Sequence, residues 1–195
     1  MIEYDNIIDS KLADQIELAL MSGLVKWQYA ASTISKSFVP PYNYTPLVLD
    51  SHQLVSLIVA DGEILDEEVF KLIRPIFDNF LKLENVQEVF IERIKLNTLF
   101  KDTELTEDMF NVPHTDNPDP NYKTFLYYVN NSDGDTYFFN NFSTDQPFFD
   151  LELSKKFSPK KGKGILFPSN QYHASSNPNS NLRRLVINFV YKAVE

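Results

Sequence analysis

Residues 183–191 read RRLVINFVY, and this stretch decides the fold because its side chains alternate in character. Side chains two positions apart on a β-strand point to the same face of a sheet. The face shared with Arg183 carries four large apolar side chains, which are Leu185, Ile187, Phe189 and Tyr191. The opposite face begins with Arg184 and includes Asn188. We predict a strand that packs its apolar face on helices and turns Arg184 towards a more polar interior.

The chain around this strand, from about residue 84 onwards, is predicted to be rich in β-strands. It consists of short runs of Val, Ile, Phe, Tyr and Thr, which are separated by turn signals such as Asn117-Pro118 and Ser132-Asp133-Gly134. The predicted strands are residues 88–100, 123–130, 135–141, 147–153, 164–168 and 184–192.

The first third of the chain is predicted to be helical instead. Apolar residues recur at helical spacing between Ser10 and Gly23, and the pattern predicts two further helices at residues 49–60 and 66–83. Helices followed by strands favour an α+β, mainly β, architecture. In this architecture the helices brace one face of an antiparallel sandwich or barrel.

The composition limits both the domain organisation and the function. The 195 residues are 43% hydrophobic and include no cysteine, which excludes disulfides, thiolate nucleophiles and cysteine-ligated metals. We predict a single domain over residues 1–195, with helical support in 1–83 and the β core in 84–195. A net charge of −9 argues against nucleic acid as a partner. No apolar run or signal-peptide pattern indicates a membrane or export, so we expect a cytoplasmic protein.

Two separate stretches supply candidate metal ligands. His114 and Asp116 stand two positions apart, so in an extended segment both side chains reach the same point in space. His173 follows the predicted strand 164–168, and a barrel could bring it beside the first pair. Two histidines and one carboxylate on one side of an ion suit Fe(II), because they leave positions open for a co-substrate and O2. The alternative is that these residues belong to polar, solvated loops.

The paired arginines at the start of the last strand supply a candidate anion site. An arginine that projects into the barrel would offer a planar fork to a carboxylate. Strand alternation favours Arg184 over Arg183 for this position. The alternative is a surface cation at the beginning of a strand.

Five strings in order resemble the 2-oxoglutarate and Fe(II)-dependent oxygenase superfamily, in its prolyl-4-hydroxylase-like branch. They are HTDNP (114–118), YYVN (127–130), GDT (134–136), GKGILFP (162–168) and RRLVINFVY (183–191). The resemblance covers roughly residues 89–192. It implies a double-stranded β-helix, or jelly roll, as the fold.

The same resemblance implies roles for individual residues. Fe(II) would be bound by His114, Asp116 and His173, and 2-oxoglutarate would chelate it as the co-substrate. Arg184 would hold the C5 carboxylate of 2-oxoglutarate, with Tyr128 as a hydroxyl donor to the same group. The further candidates for contact with the co-substrate are Tyr127, Asn188 and Arg183.

The implied reaction is hydroxylation of a C–H bond with release of succinate and CO2. The substrate would be a protein or peptide side chain, proline being one candidate, or a small molecule. Two alternatives stay open at this point. One is a cupin-like metal hydrolase or isomerase that polarises water, and the other is a non-enzymatic jelly-roll binding module.

Overall fold

The structure is a computed structural model that describes residues 1–34, 40–43, 48–104, 109–143 and 149–194. Its helices are α1 (Ser10–Met21) and α2 (Glu67–Leu83). Its strands are β1 (Ile2–Tyr4), β2 (Gln28–Ala30), β3 (Tyr42–Asn43), β4 (Val48–Leu49), β5 (Gln53–Ala60), β6 (Glu63–Ile64), β7 (Val89–Phe100), β8 (Phe110–Asn111), β9 (Lys123–Tyr128), β10 (Thr136–Phe142), β11 (Phe149–Asp150), β12 (Leu153–Phe157), β13 (Gly164–Pro168), β14 (Gln171–Ser175) and β15 (Arg183–Ala193).

Two antiparallel sheets form a sandwich. The larger sheet has the strand order β1-β13-β9-β15-β7-β5-β2, with β6 paired to β5, and the smaller has the order β12-β10-β14. Between them lies a cluster of buried side chains to which both sheets contribute, namely Leu126, Tyr128, Phe138, Phe157, Ile165, Phe167 and Val186. The long strand β15 lies near the middle of the larger sheet, so both of its faces are buried.

Both helices pack on the outer face of the larger sheet. Asp9 and Asp66 cap them by accepting hydrogen bonds from backbone N–H groups of the first turn. The apolar side of α2 meets the sheet through stacked rings, with centroids 3.9 Å apart for Phe80 and Phe125 and 4.8 Å apart for Phe77 and Phe189. This is the packing predicted for the apolar face of the last strand.

One predicted helix is wrong. Residues 49–60 were expected to form the second helix, but the structure has the strand β5 (Gln53–Ala60) in this stretch. A short, nearly continuous apolar run does not distinguish a helix from a buried strand by periodicity alone. The β-branched residues Val55, Ile58 and Val59 fit a strand, and β5 is hydrogen-bonded on both sides, to β2 and to β7.

The other predicted elements agree with the structure to within about two residues, except the predicted strand 147–153. The sequence did not predict β14 or the short strands β1, β2, β3, β4, β6 and β8. The predicted strand 147–153 lies partly outside the described residues, and its described part comprises β11 and the start of β12. The strand β14 carries His173. No described helix has both the length and the apolar character needed to cross a membrane.

Candidate active site

The structure brings His114, Asp116 and His173 together. One ligand atom from each lies within 4.8 Å of the others. His114 and His173 are joined as an isolated antiparallel bridge, with backbone hydrogen bonds of 2.9 and 3.0 Å in the two directions. The backbone N–H of Asp116 donates to the carbonyl of Ser169 at 2.9 Å. The segment that carries the first two residues is therefore fixed both to the turn that precedes β14 and to β14 itself, which carries the third.

Hydrogen bonds to the backbone set the orientation of both imidazole rings. Nδ1 of His114 lies 3.1 Å from the carbonyl oxygen of Val112, and Nδ1 of His173 lies 3.0 Å from the carbonyl oxygen of Gln171. A carbonyl only accepts, so each Nδ1 carries the hydrogen and a neutral ring keeps its lone pair on Nε2. Metal-binding histidines commonly use this arrangement, with one nitrogen held by a carbonyl and the other directed to the ion.

The electrostatics of the three side chains suit metal binding. Burial, reinforced by the neighbouring His173, lowers the pKa of His114 to about 3. Burial also lowers the pKa of His173. Burial alone would raise the pKa of Asp116, but its electrostatic interactions with His173 and Arg93 hold this pKa well below its usual range. At neutral pH the site thus offers two neutral imidazoles and one carboxylate, the protonation states that ligate a metal.

Three further side chains hold the carboxylate of Asp116 in place. Arg93 donates to Oδ1 at 2.5 Å. Oδ2 accepts from Oγ1 of Thr124 at 2.9 Å and from Nδ2 of Asn188 at 3.0 Å. With its orientation fixed in this way, the donor set of two nitrogens and one oxygen fits a divalent metal such as Fe(II).

Arg184 is a buried cation whose hydrogen bonds go to neutral groups. Its side chain donates from Nε to the carbonyl of Gly134 at 2.9 Å and from a terminal nitrogen to Oγ1 of Thr136 at 2.6 Å. It is only 3% exposed, and within the described ranges no ion pair joins it to a carboxylate. A Cβ on Gly134 would lie 3.1 Å from Cδ of Arg184 and 2.6 Å from the carbonyl of Ser176, so the close packing here requires glycine.

Arg184 and the three candidate ligands line one narrow pocket of about 50 Å³. His114, Asp116 and His173 form one part of its wall, and Arg184 forms another. A pocket of this volume has room for several water-sized groups, since a single water needs about 10 to 15 Å³. The arrangement can hold a small anion between a fixed positive charge and a metal.

The two tyrosines of the YYVN string lie on opposite sides of the larger sheet. Tyr128 is in the interior, where its hydroxyl donates to Oγ1 of Thr136 at 2.7 Å and its ring lies under the guanidinium of Arg184 at 5.8 Å. Tyr127 packs with the helices, and its hydroxyl is buried without a hydrogen-bond partner in the described structure. Of the pair, only Tyr128 is therefore adjacent to Arg184.

The remaining candidates, Asn188 and Arg183, lie on opposite faces of β15. Asn188 lines the pocket and donates to Asp116, while its side-chain oxygen is buried without a partner among the described residues. Arg183 precedes Arg184 on β15 and is partly exposed. By the alternation of the strand it belongs to the opposite face, so it is not among the residues that line the pocket.

Sequence reasoning missed Arg93 and Lys95. Both lie on β7; Lys95 lines the pocket of the three candidate ligands, and Arg93 lines an adjacent pocket that includes His114 and Asp116. Burial and the charge of Arg93 lower the pKa of Lys95 to about 8. The signal was present in the sequence, because Arg93 and Lys95 alternate with Ile94 and Leu96 within the predicted strand 88–100. Their alternation places two cations on the interior face.

No protein-family model matches the chain, and no curated protein matches it in sequence. Solved structures, however, match its fold. An oxidoreductase of the 2OG-Fe(II) oxygenase family from Burkholderia pseudomallei gives a TM-score of 0.60 at 16% identity, over 98% of this chain and 84% of that chain. A prolyl hydroxylase from Trichoplax adhaerens, in complex with a hypoxia inducible factor peptide, gives 0.57 at 16% identity, over 98% and 83%.

A third neighbour is the epimerase SnoN in complex with Fe3+, alpha ketoglutarate and nogalamycin RO. It gives a TM-score of 0.58 at 12% identity, over 98% of this chain and 78% of that chain. At these identities the likeness concerns the fold. The chain has the double-stranded β-helix fold that 2OG-Fe(II) oxygenases have, braced by α1 and α2, and the predicted fold class is confirmed.

Proposed function

We propose that the protein is an Fe(II)- and 2-oxoglutarate-dependent dioxygenase that hydroxylates a C–H bond. Its substrate is a protein or peptide side chain, proline being one candidate, or a small molecule. The observation that carries this proposal is the buried Arg184, which forms no ion pair with a described carboxylate and lines the same pocket as the candidate metal ligands. The fold of the structural neighbours supports it.

His114, Asp116 and His173 would hold the metal. Together they supply two nitrogens and one oxygen, which leaves further positions of a six-coordinate ion open. When bound, Fe(II) activates O2, and 2-oxoglutarate supplies two electrons through its oxidative decarboxylation to succinate and CO2. The rings of Phe138 and Phe167 pack near that of His173, with centroids at 6.0 and 4.8 Å, and exclude water from this side of the site.

Arg184 would bind the C5 carboxylate of 2-oxoglutarate. A buried charge without a counterion is costly, so an anionic ligand is expected to complete this site. The guanidinium has five N–H donors in a planar fork that matches a carboxylate, and only two donor nitrogens are used by Gly134 and Thr136. A metal hydrolase or isomerase gives this cation no role, which favours the oxygenase over that alternative.

The side chains around Arg184 would orient the co-substrate. Thr136 accepts hydrogen bonds from both Arg184 and Tyr128, so the three groups form one connected set. Tyr128 would donate to the bound carboxylate after a rotation of its hydroxyl. Asn188, whose free oxygen faces no described donor, would contribute to the same pocket while it holds Asp116.

The structural neighbours were solved in complex with more than one kind of molecule. One was solved with a peptide fragment and another with the small molecule nogalamycin RO. Both classes are therefore candidates for this chain, in keeping with the proposed partners. A cytoplasmic location and the lack of affinity for nucleic acid stay predictions from the sequence.

Release of succinate from 2-oxoglutarate tests the proposal. The protein is incubated with Fe(II), 2-oxoglutarate and O2, and succinate is quantified with and without added candidate substrates. We expect Fe(II)-dependent succinate above the protein-free background, and more of it when an accepted substrate is present. The variant His173→Ala should lose both this release and stoichiometric Fe(II) binding, since it removes one of three ligands.

The matched control is His52→Ala, which changes a histidine whose ring packs against Tyr29 and Phe100 rather than lining the pocket. This variant should behave like the unmodified protein. Stoichiometric iron in His173→Ala would exclude the proposed ligand set. Fe(II) binding without binding of 2-oxoglutarate would instead favour the metal hydrolase or isomerase.

A further inference from the structure

A second, wider pocket lies against the candidate metal ligands. It has a volume of about 360 Å³, within the range of small-molecule sites. It shares His114, Asp116 and Lys95 with the narrow pocket and extends past Arg93 to β2 and β5. A molecule in this pocket would therefore lie beside the metal and outside the space between the metal and Arg184.

The charged side chains that line the wider pocket carry more positive than negative charge. In the described part of its wall they are Arg93, Lys95 and Asp116, so two positive charges face one negative charge. This excess is unusual in a chain whose net charge is −9. A divalent metal on Asp116 would add further positive charge. The excess indicates that an anion from outside the chain completes this site.

The ammonium of Lys95 is unpaired among the described residues. No hydrogen bond or ion pair involves its ammonium in the residues that the structure describes, although it lies close enough to Arg93 and Asp116 for their charges to affect its pKa. The side chain is mostly buried and lines both pockets. The ammonium of a lysine has three N–H donors, so Lys95 can donate hydrogen bonds to an anionic ligand.

Arg93 also has an N–H donor without a hydrogen-bond partner among the described residues. One terminal nitrogen binds Oδ1 of Asp116, but Nε is buried and has no hydrogen-bond partner within the described ranges. Arg93 and Lys95 stand two positions apart on β7, so they project from the same face of the strand. Together they offer several N–H donors and two positive charges to one ligand group.

We propose that Arg93 and Lys95 bind an acidic group of the substrate, a carboxylate or a phosphate, and that the substrate is a small acidic molecule. This inference rests on the proposed function, since it places the substrate beside the Fe(II) and 2-oxoglutarate of that proposal. The volume of the wider pocket favours a small molecule. The anion held by Lys95 could otherwise be the C1 carboxylate of 2-oxoglutarate, and the experiment separates the two sources.

Methylphosphonate is the probe, and Mn(II) replaces Fe(II). The protein is saturated with Mn(II) and 2-oxoglutarate without O2, and the ³¹P line width of added methylphosphonate is measured, because a nearby Mn(II) broadens it. We expect Lys95→Met to weaken methylphosphonate binding about ten- to hundredfold, the loss of a charged hydrogen bond. The affinity for 2-oxoglutarate should change less than about twofold. Lys95→Arg should retain binding, because it keeps the charge.

Lys123→Met is the matched control, since it removes the same charge from an exposed position on β9. It should leave methylphosphonate binding unchanged. Circular dichroism and thermal unfolding establish that each variant is folded. If Lys95→Met folds poorly, Lys95→Gln replaces it in the same comparison.

Three results would overturn the inference. The first is equal methylphosphonate binding by the Lys95→Met and unmodified proteins. The second is binding of methylphosphonate only when 2-oxoglutarate is left out, which would place methylphosphonate at the co-substrate site beside Arg184. The third is a parallel loss of 2-oxoglutarate affinity in Lys95→Met, which would assign Lys95 to the co-substrate. An unmodified protein that binds no 2-oxoglutarate contradicts the proposed function instead, and the same comparison with Mn(II) alone then decides the anion site.

Discussion

The two faces of β15 belong to one strand, which is hydrogen-bonded to β7 and β9, but their side chains differ in chemistry. Towards the helices, Phe189 stacks on Phe77 and belongs to a large apolar cluster. Towards the smaller sheet, Arg184 and Asn188 are equally buried but polar, and each keeps hydrogen-bonding capacity that the chain does not use. The first face is covered by apolar side chains of the helices, whereas the second borders a pocket in which Arg184 has donors for a ligand. Substitutions on the two faces should therefore affect different measurements.

The largest expected effect on stability comes from the helix-facing side. Phe189→Ala should lower the free energy of unfolding by about 3 to 5 kcal/mol, because it removes a fully buried ring and leaves a cavity. Chemical denaturation measures this change. At a temperature where the variant remains folded, its affinity for Fe(II) should stay close to that of the unmodified protein. A loss of metal affinity without a loss of stability would contradict the division between the faces.

The largest expected effect on ligand binding comes from the interior side. Arg184→Ala should weaken 2-oxoglutarate binding by about 2 to 5 kcal/mol, chiefly because it leaves a buried carboxylate unpaired. Fe(II) should still bind, and Arg184→Lys should recover part of the loss, since an ammonium lacks the planar fork. Anaerobic titration of 2-oxoglutarate, followed by the absorbance of its Fe(II) chelate, measures both.

Arg183→Ala is the control for the same strand. It removes the same charge from the other face and should change the affinity for 2-oxoglutarate little. A large loss in Arg183→Ala with none in Arg184→Ala would contradict the face assignment. No loss in either variant would contradict the assignment of 2-oxoglutarate itself.

The sequence predicted β15 well because its period of two is strong and its faces differ so clearly. It predicted β5 wrongly because a short apolar run such as LVSLIVA fits either element until its neighbours are known. The strand β14 was missed because QYHAS has little apolar character, and it is a strand through its pairing with β10. Elements whose apolar residues recur with a clear period could therefore be predicted from the local sequence. The other strands depend on pairing with residues that are distant in the sequence.

The same reasoning explains what was found at the site. His114, Asp116, His173 and Arg184 were identified as candidates from their types and order, and the structure brings all four to one pocket. The alternation of Lys95 with Ile94 and Leu96 indicated the face of the strand on which Lys95 lies, but not that this face lines a cavity or that the lysine has no partner among the described residues. That property depends on residues from several strands, whose positions the sequence does not give directly.

The buried His114 should also make the stability of the metal-free protein depend on pH. Burial lowers the pKa of His114 to about 3, below its value of 6.5 in an unfolded chain. Between these values the unfolded state binds more protons than the folded state, so the free energy of unfolding should decrease as the pH falls from about 6.5 towards 3. Denaturation of the metal-free protein in a chelator measures this dependence, and His114→Asn should make it shallower. Equal slopes in the two proteins would contradict the assignment to His114.

The smallest expected effect compares the two neighbouring tyrosines of β9. Tyr128→Phe removes the hydrogen bond to Thr136 and should destabilise the fold by about 1 kcal/mol. Tyr127→Phe removes a buried hydroxyl that has no partner in the described structure, so it should leave stability unchanged or raise it slightly. Thermal unfolding of the two variants side by side measures this difference. In the same pair, only Tyr128→Phe should weaken 2-oxoglutarate binding, because only Tyr128 lies beside Arg184. A weakening in Tyr127→Phe alone would mean that β9 presents its other face to the pocket.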